Sequence, residues 1–411
     1  MNAWKKVLLA LACSSTLFLS ACNDSDDKKN HDYATYLGET RYRLDHVLAA
    51  SQINVMKYNM PNVLGQMTTA SALVFTPRTP RPKDGWRVVV WAHGTVGSGD
   101  QCAPSRNEIN PRFRILAETL LAAGYVIVAP DYEGLGEKGI HPYLNLQSAA
   151  QSVIYAQKAY QERYGAQAKG TWMSVGQSQG GHASLATAEY AQDDPNYLGA
   201  VAAAPASSLG YVIKYMAPVI LEDALMAENL GLIPKGTAAT GYADLLSFSA
   251  YATTGILAYD PDFDYKVLFE PRSQPLVDAA LGSTGENGLC IIPELETRFV
   301  QDMLQYVEEN PGKTILDYPG LVPDFDQHPA IVEFLTKNQP ATKYIAKPVM
   351  IVQGKLDAAV PYTLTEQLAD GLSAKGTEVE LHLVEGATHT QAIVLKNQEV
   401  VEFVQAHMPA R

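Results

Sequence analysis

The sequence predicts an open, mostly parallel α/β sheet flanked by helices and interrupted by a large, mainly helical cap. Three observations carry that expectation. Compact apolar runs alternate with helical stretches along both ends of the chain. Between Pro205 and Lys347 no run reads as a buried parallel strand. Finally, Gly176-Gln177-Ser178-Gln179-Gly180 joins a strand-like run to a helix-like one, so Ser178 falls on a tight strand-to-helix turn.

The elements follow in order. Ile53 to Met56 and Ala72 to Phe75 are short strand-like runs around a turn at Gly65, read as an antiparallel lead-in to the sheet. Trp86 to Ala92 and Tyr125 to Pro130 are apolar on both alternating faces, as strands covered from both sides must be. A helix near Phe113 to Ala123 separates them. Another, near Gln147 to Tyr164, leads to the strand before Ser178. The helix after Ser178 reaches about Asp193, and Leu198 to Ala203 gives a further strand. The pattern returns with a strand at Pro348 to Gln353, a helix at Tyr362 to Leu372, a strand at Val379 to Val384 and a closing helix at Thr390 to Ala406. Inside the interruption, Tyr211 to Leu230, Tyr242 to Ala250, Glu294 to Glu309 and Ala330 to Lys337 read helical. The first is apolar around much of its circumference, so Ile213, Met216 and Ile220 are expected to wall a pocket at the carboxyl end of the sheet. The expected division is therefore a core of residues 36–205 and 347–411 with a cap of 206–346.

A serine hydroxyl needs a base to take its proton and a third group to orient the base. Asp357 closes the segment Gly354-Lys355-Leu356-Asp357, which directly follows the strand ending at Gln353, and His389 closes the segment Glu385-Gly386-Ala387-Thr388-His389, which directly follows the strand ending at Val384. Both loops lie at the same sheet edge as Ser178. Asp324, Asp326 and Glu385 are rival acids, and His93, His141, His182 and His328 rival bases. His182 lies four positions past Ser178 inside the helix, which suits a supporting hydrogen bond better than proton transfer. A developing oxyanion needs donors. The N–H of Gln179 is one candidate, and that of Thr95, with Gly94 as runner-up, is the other.

The chain opens with Lys5-Lys6 and the apolar run Val7 to Ala12, a leader too short to span a membrane as a helix. It ends in Leu19-Ser20-Ala21-Cys22, which resembles the lipobox of bacterial lipoprotein precursors. That resemblance implies a signal peptide over 1–21, a lipidated Cys22, a polar tether over 22–35 and a lipid anchor in the bacterial cell envelope. Asn23, where aspartate is associated with inner-membrane retention, points to the outer membrane. The formal charge of −13 argues against nucleic-acid partners. Of the four cysteines, Cys13 leaves with the leader and Cys22 is lipidated. Cys102 and Cys290 remain, either as a disulfide formed on export or as two separate thiols.

Four segments together resemble the bacterial secretory lipase family of the α/β-hydrolases. They are His93-Gly94-Thr95, Asp131-Tyr132-Glu133-Gly134-Leu135-Gly136, His141-Pro142-Tyr143-Leu144 and Gly176 to His182. The order Ser178, Asp357, His389 is the α/β-hydrolase order. The resemblance implies hydrolysis of carboxylic esters, often acylglycerols, under a helical cap, with neither cofactor nor metal. Asp131 is expected to brace the segment at 93–95, and Tyr143 to line the pocket. A serine peptidase or amidase would use the same three residues, but no pair of acidic residues announces an anchor for a peptide terminus. A non-catalytic surface binding lipoprotein would lack one of the three, and none is lacking.

Overall fold

The computed structural model describes residues 34–410. The leader, Cys22 and nearly all of the expected tether lie outside them. A nine-stranded sheet runs in the order β1-β2-β3-β5-β4-β6-β7-β8-β9. Strands β1 (Tyr36–Arg41), β2 (Ala50–Pro61) and β3 (Met67–Pro77) form an antiparallel meander, and β3 pairs antiparallel with β5 (Val126–Pro130). From β5 onward every pairing is parallel, through β4 (Trp86–Ala92), β6 (Ala168–Gln177), β7 (Tyr197–Ala203), β8 (Val349–Gly354) and β9 (Val379–Val384). The meander is longer than the sequence suggests, and β1 escapes notice because its YLGETR run is half-exposed and carries little apolar signal.

Strand β4 explains why both faces are covered. Val88 and Val90 point into one core with Val153 and Tyr160, whereas Val89 and Trp91 point into the other with Phe113, Leu120 and Val404. Helices α1 (Pro111–Ala122), α2 (Leu146–Tyr164) and α3 (Gln179–Tyr190) follow the first parallel strands. Asn110 caps α1 by accepting from the N–H of Arg112, with Pro111 at the first helical position. Asn145 caps α2 in the same manner. The chain passes from β4 outward to β5 and then back across to β6, so the sheet reverses its winding direction beside β4. Open α/β sheets bind ligands at the strand ends of such a reversal.

The insertion between β7 and β8 is helical, comprising α4 (Ala217–Asn229), α5 (Thr237–Ile256), α6 (Gln274–Leu281), α7 (Glu296–Glu309) and α8 (Pro329–Lys337). It has its own apolar core around Leu246, Tyr251, Phe269, Val277, Phe299 and Met303. Helix α6 is absent from the sequence reading, being only two turns long. Helices α9 (Tyr362–Ala374) and α10 (Asn397–His407) complete the core, and a break at Lys396 separates α10 from a short turn at Ala392–Leu395 where one continuous helix is expected. Among the described residues no helix is long and apolar enough to cross a membrane.

The insertion is tied to the sheet at several points. Cys102 and Cys290 form a disulfide with their Cα atoms 5.4 Å apart. Beside it the N–H of Ile291 donates to Val96 O at 2.9 Å, and that of Asp100 to Glu286 O at 2.7 Å. On the opposite side, His182 Nε2–H donates to Asn338 O at 2.9 Å, and Asn338 Oδ1 accepts from the N–H of Leu146 at 2.8 Å. A cross-link over this sequence separation restricts the unfolded chain and stabilises by about 2–4 kcal/mol. The Cys102→Ser, Cys290→Ser double variant should therefore melt at a lower temperature than wild type, and reductant should lower the melting point of wild type only. Equal melting of both proteins, with and without reductant, would contradict this.

Candidate active site

The turn at Ser178 is held in a conformation that side chains rarely adopt, with φ 60° and ψ −119°. Three backbone hydrogen bonds fix it. The N–H of Ser178 donates to Ala203 O at 2.9 Å, and its carbonyl accepts from His182 and Ala206. Both flanking glycines are forced by space. A Cβ at Gly176 would lie 2.0 Å from Gly180 O, and one at Gly180 would lie 1.9 Å from Ala92 O. Helix α3 thus starts against the end of β4, a close approach that only residues without a side chain permit.

That packing leaves the Ser178 hydroxyl at the carboxyl edge, where two later strands deliver their loops. His389 Nε2 lies 2.8 Å from Ser178 Oγ, and His389 Nδ1 lies 2.7 Å from Asp357 Oδ2. The carboxylate accepts, so Nδ1 carries the proton and Nε2 is free to accept from the serine hydroxyl. Asp357 is buried, 6% exposed, and all its oxygens are used. Oδ1 accepts from the N–H groups of Ala359 and Val360 at 2.9 and 2.8 Å, and Oδ2 accepts also from Gln353 Nε2 at 2.8 Å. Gln353 is itself clamped, donating to Val360 O and accepting from Thr365 Oγ1. The sequence reading passes over Gln353, although an amide ending an otherwise apolar buried strand is a visible signal. It also passes over Gln177, whose Nε2 donates to His389 O at 3.3 Å.

The rivals are engaged elsewhere. Asp326 pairs with Lys214 and Glu385 with Lys355, while Asp324 opens the short turn at Phe325–Gln327 in the cap. His328 packs edge-on against Phe263. The other three histidines are buried, and burial pulls each of them down to about 4. His93 Nδ1 donates to Gly94 O at 2.7 Å. His141 Nδ1 donates to Glu133 O at 2.7 Å, which leaves Nε2 to accept from Gln179 Nε2 at 3.0 Å. The H-P-Y-L segment therefore grips the residue directly after Ser178.

Two expectations need correction. Asp131 meets the segment at 93–95 through its backbone carbonyl, 3.3 Å from His93 Nε2, but its carboxylate does not reach it. The carboxylate accepts from Ser71 Oγ at 2.7 Å and from the N–H of Ser105 at 2.8 Å, and so ties the turn after Cys102 to β3. Burial raises it to about 6, against the pull of these hydrogen bonds. Tyr143 is 4% exposed and lies behind the pocket wall, its hydroxyl 2.6 Å from Thr95 Oγ1. It positions Thr95 and does not line the cavity.

The cavity above Ser178 measures about 430 Å³. Its floor carries Ser178, His389, Gly94 and Thr95. The apolar walls come mainly from the core, from Trp91, Phe113, Leu116, Ile393 and Val394, with Phe248, Ile291 and Ile292 from the cap. Ile213, Met216 and Ile220 are not in this wall. Ile213, just before α4, packs with Ala224 and Leu225 of α4 against the cap's own core. Asp244, one turn before Phe248 on α5, also faces the cavity. Among the described residues no group of three or more His, Cys, Asp or Glu is placed to hold a metal ion.

This is an α/β-hydrolase fold. The chain is similar to the rice cell wall degrading esterase LipA of Xanthomonas oryzae, with TM-score 0.65 and 18% identity over 92% of this chain and 99% of that one. It is similar to lipase A of Candida antarctica in its closed state, with TM-score 0.64 and 15% identity over 91% and 82%. A protein of Legionella pneumophila matches with TM-score 0.62 and 21% identity over 87% and 89%. The sequence profile of the prolyl oligopeptidase family matches residues 323–409, a stretch that contains Asp357 and His389 but not Ser178. Curated proteins give no match.

The burial of His141 has a measurable consequence. His141 titrates near its ordinary 6.5 when unfolded but only at about 4 when folded, so the unfolded chain binds more protons between those values. Its contribution to stability is complete above the upper value and is lost as pH falls toward the lower one. Relative to His141→Gln, wild type should lose roughly 3 kcal/mol of stability across that interval. Denaturant titrations of both proteins along a pH series would detect it, and a pH-independent difference would refute it.

Proposed function

We propose that the protein is a serine hydrolase of carboxylic esters that works through Ser178, His389 and Asp357 and an acyl-enzyme intermediate. The observation that carries this reading is the unbroken chain of hydrogen bonds from Ser178 Oγ through both nitrogens of His389 to Asp357 at the floor of an apolar cavity. In the first step Ser178 Oγ attacks the ester carbonyl while His389 Nε2 takes its proton. The tetrahedral oxyanion then needs donors. Gln179 is the first residue of α3, so its N–H has no acceptor within the helix and points at the turn. The N–H of Thr95 is the proposed second donor, with the loop around it held by Tyr143 and His93. Each such donor stabilises the transition state by about 3 kcal/mol. His389 next protonates the leaving alcohol, and water repeats the sequence to release the acid. Asp357 holds the Nδ1–H tautomer throughout and offsets the charge on the ring.

The apolar arm between α1 and the Ile393–Val394 turn suits an acyl chain, each buried methylene being worth about 0.8 kcal/mol. Relatives of the same fold include an esterase and a lipase, which agrees with acyl esters or acylglycerols as substrates. The match to the prolyl oligopeptidase family supports a second reading, cleavage of a peptide bond by the same three residues.

Nitrophenyl esters of graded acyl length, set beside peptide nitroanilides, separate the two readings. Ester turnover exceeding anilide turnover by orders of magnitude is expected, and the reverse would favour the peptidase. Asp357→Asn should lower ester turnover by up to ~10⁴-fold, as the equivalent change does in serine proteases, while Asp326→Asn should do little. Near-normal activity in Asp357→Asn would remove the assignment of the acid. Phe248→Ala should shift the preferred acyl length upward, whereas Ile220→Ala, outside the cavity, should leave the length profile unchanged. A shift in the second variant but not in the first would place the acyl chain elsewhere.

A further inference from the structure

The cavity over Ser178 contains one feature that the hydrolysis of a simple acyl ester does not use. Asp244 projects into it from cap helix α5, on the same helical face as Phe248 four residues on. Three other elements bring titratable groups within electrostatic reach of it. They are Glu296 at the start of α7, His389 on the loop after β9, and Tyr143 on the loop before α2. The other charged side chains of the cavity wall, Glu108 and Arg112, flank the start of α1 and oppose one another in sign. Among the described residues Asp244 pairs with no lysine or arginine. The sequence offers no acidic pair, because Asp244 and Glu296 lie on separate helices, and packing of α5 against α7 brings them together.

A carboxylate in this position is in an unfavourable state. Burial pushes it up to about 7, the Glu296 carboxylate adds to the rise, and His389 opposes it. A wall meant only for an acyl chain gains nothing from such a group, since desolvating a carboxylate costs more than burying methylenes returns. A cation beside Asp244 reverses the balance, because it removes the repulsion from Glu296 and acts across a partly water-excluded cavity where charge pairs are strong. The Phe248 ring belongs to the same wall and adds an aromatic surface suited to an ammonium group.

We propose that Asp244 makes this cavity selective for esters that carry a cationic nitrogen a short chain away from the scissile carbonyl. The inference rests on the serine-hydrolase reading and adds to it the class of substrate. It does not alter the chemistry of the ester bond. The charge lies on either the alcohol or the acyl part, and matched substrates distinguish the two.

The test compares butyrylcholine with its uncharged carbon isostere, dimethylbutyl butyrate, for the alcohol side. Nitrophenyl aminohexanoate against nitrophenyl heptanoate serves for the acyl side. In wild type the charged member of one pair should have the higher kcat/KM by about tenfold or more, equivalent to about 1.4 kcal/mol. Asp244→Asn should bring that ratio close to one. Using the ratio cancels any general loss of activity in the variant. The ratio in wild type should rise between pH 6 and pH 8 as Asp244 loses its proton, with Glu296, His389 and Tyr143 the titratable groups around it. A wild-type ratio near one in both pairs overturns the proposal, and so does a charged preference that survives in Asp244→Asn. Nitrophenyl butyrate is the control for the underlying reading. If it is not hydrolysed in a Ser178-dependent way, the hydrolase reading fails by itself. Choline then serves as a probe of binding alone, expected to raise the melting temperature of wild type but not of Asp244→Asn. Equal effects on the two proteins count against Asp244.

Discussion

The strained backbone at Ser178 is the constraint on which the rest of the structure depends. A serine held at φ 60° persists only because its surroundings over-determine it. The start of α3 is pressed against the end of β4 so closely that neither Gly176 nor Gly180 has room for a Cβ. The carbonyl of Ala203 receives the serine N–H, which ties the turn to β7 as well. Three adjacent parallel strands therefore fix one hydroxyl at the carboxyl edge of the sheet. Everything delivered later in the chain, by β8 and β9, is aimed at that point.

The supporting hydrogen bonds divide between two halves of the chain. On the late side, Gln353 and the N–H groups of Ala359 and Val360 saturate Asp357, which in turn fixes His389. On the early side, His141 holds the side chain of Gln179, and Tyr143 holds the hydroxyl of Thr95. Glycine at 134 makes the second arrangement possible, since a Cβ there would lie 2.6 Å from the backbone of Ile140 and His141. The loop from Asp131 to Leu144 is thus a brace for the proposed oxyanion donors and not part of the cavity wall. The cap closes over this assembly, joined near one end by the Cys102–Cys290 bridge and near the other by the contacts of Asn338.

Much of this was legible in the sequence because the relevant signals are local. Trp86 to Ala92 and Val379 to Val384 read as strands through their apolar or alternating pattern, and both appear with the expected bounds. Ser178, Asp357 and His389 sit immediately after strands, so their convergence follows once the sheet is parallel. The features that escaped depend on distance. The carboxylate of Asp131 turns toward Ser71 and Ser105, a choice set by packing between β3 and the turn after Cys102. The apolar wall of the cavity comes mainly from α1 and the Ile393–Val394 turn, which no periodicity in the cap could disclose. Asp244 reads as an ordinary helical acid until α5 is placed over His389. Helix α4 misled for a related reason. Ala224 and Leu225 pack against the core of the cap, whereas Val219 and Met226 are exposed.

The most direct measurement of the central claim is stoichiometric labelling by an alkyl phosphonate ester, followed by peptide mapping. Such a reagent reacts only with a serine activated by a neighbouring base and leaves a stable adduct that mimics the tetrahedral intermediate. The account predicts one equivalent per chain, found on the peptide containing Ser178, with ester turnover lost in proportion to labelling. Full turnover in unlabelled protein after exhaustive treatment, or an adduct on any other serine that abolishes activity, would contradict it.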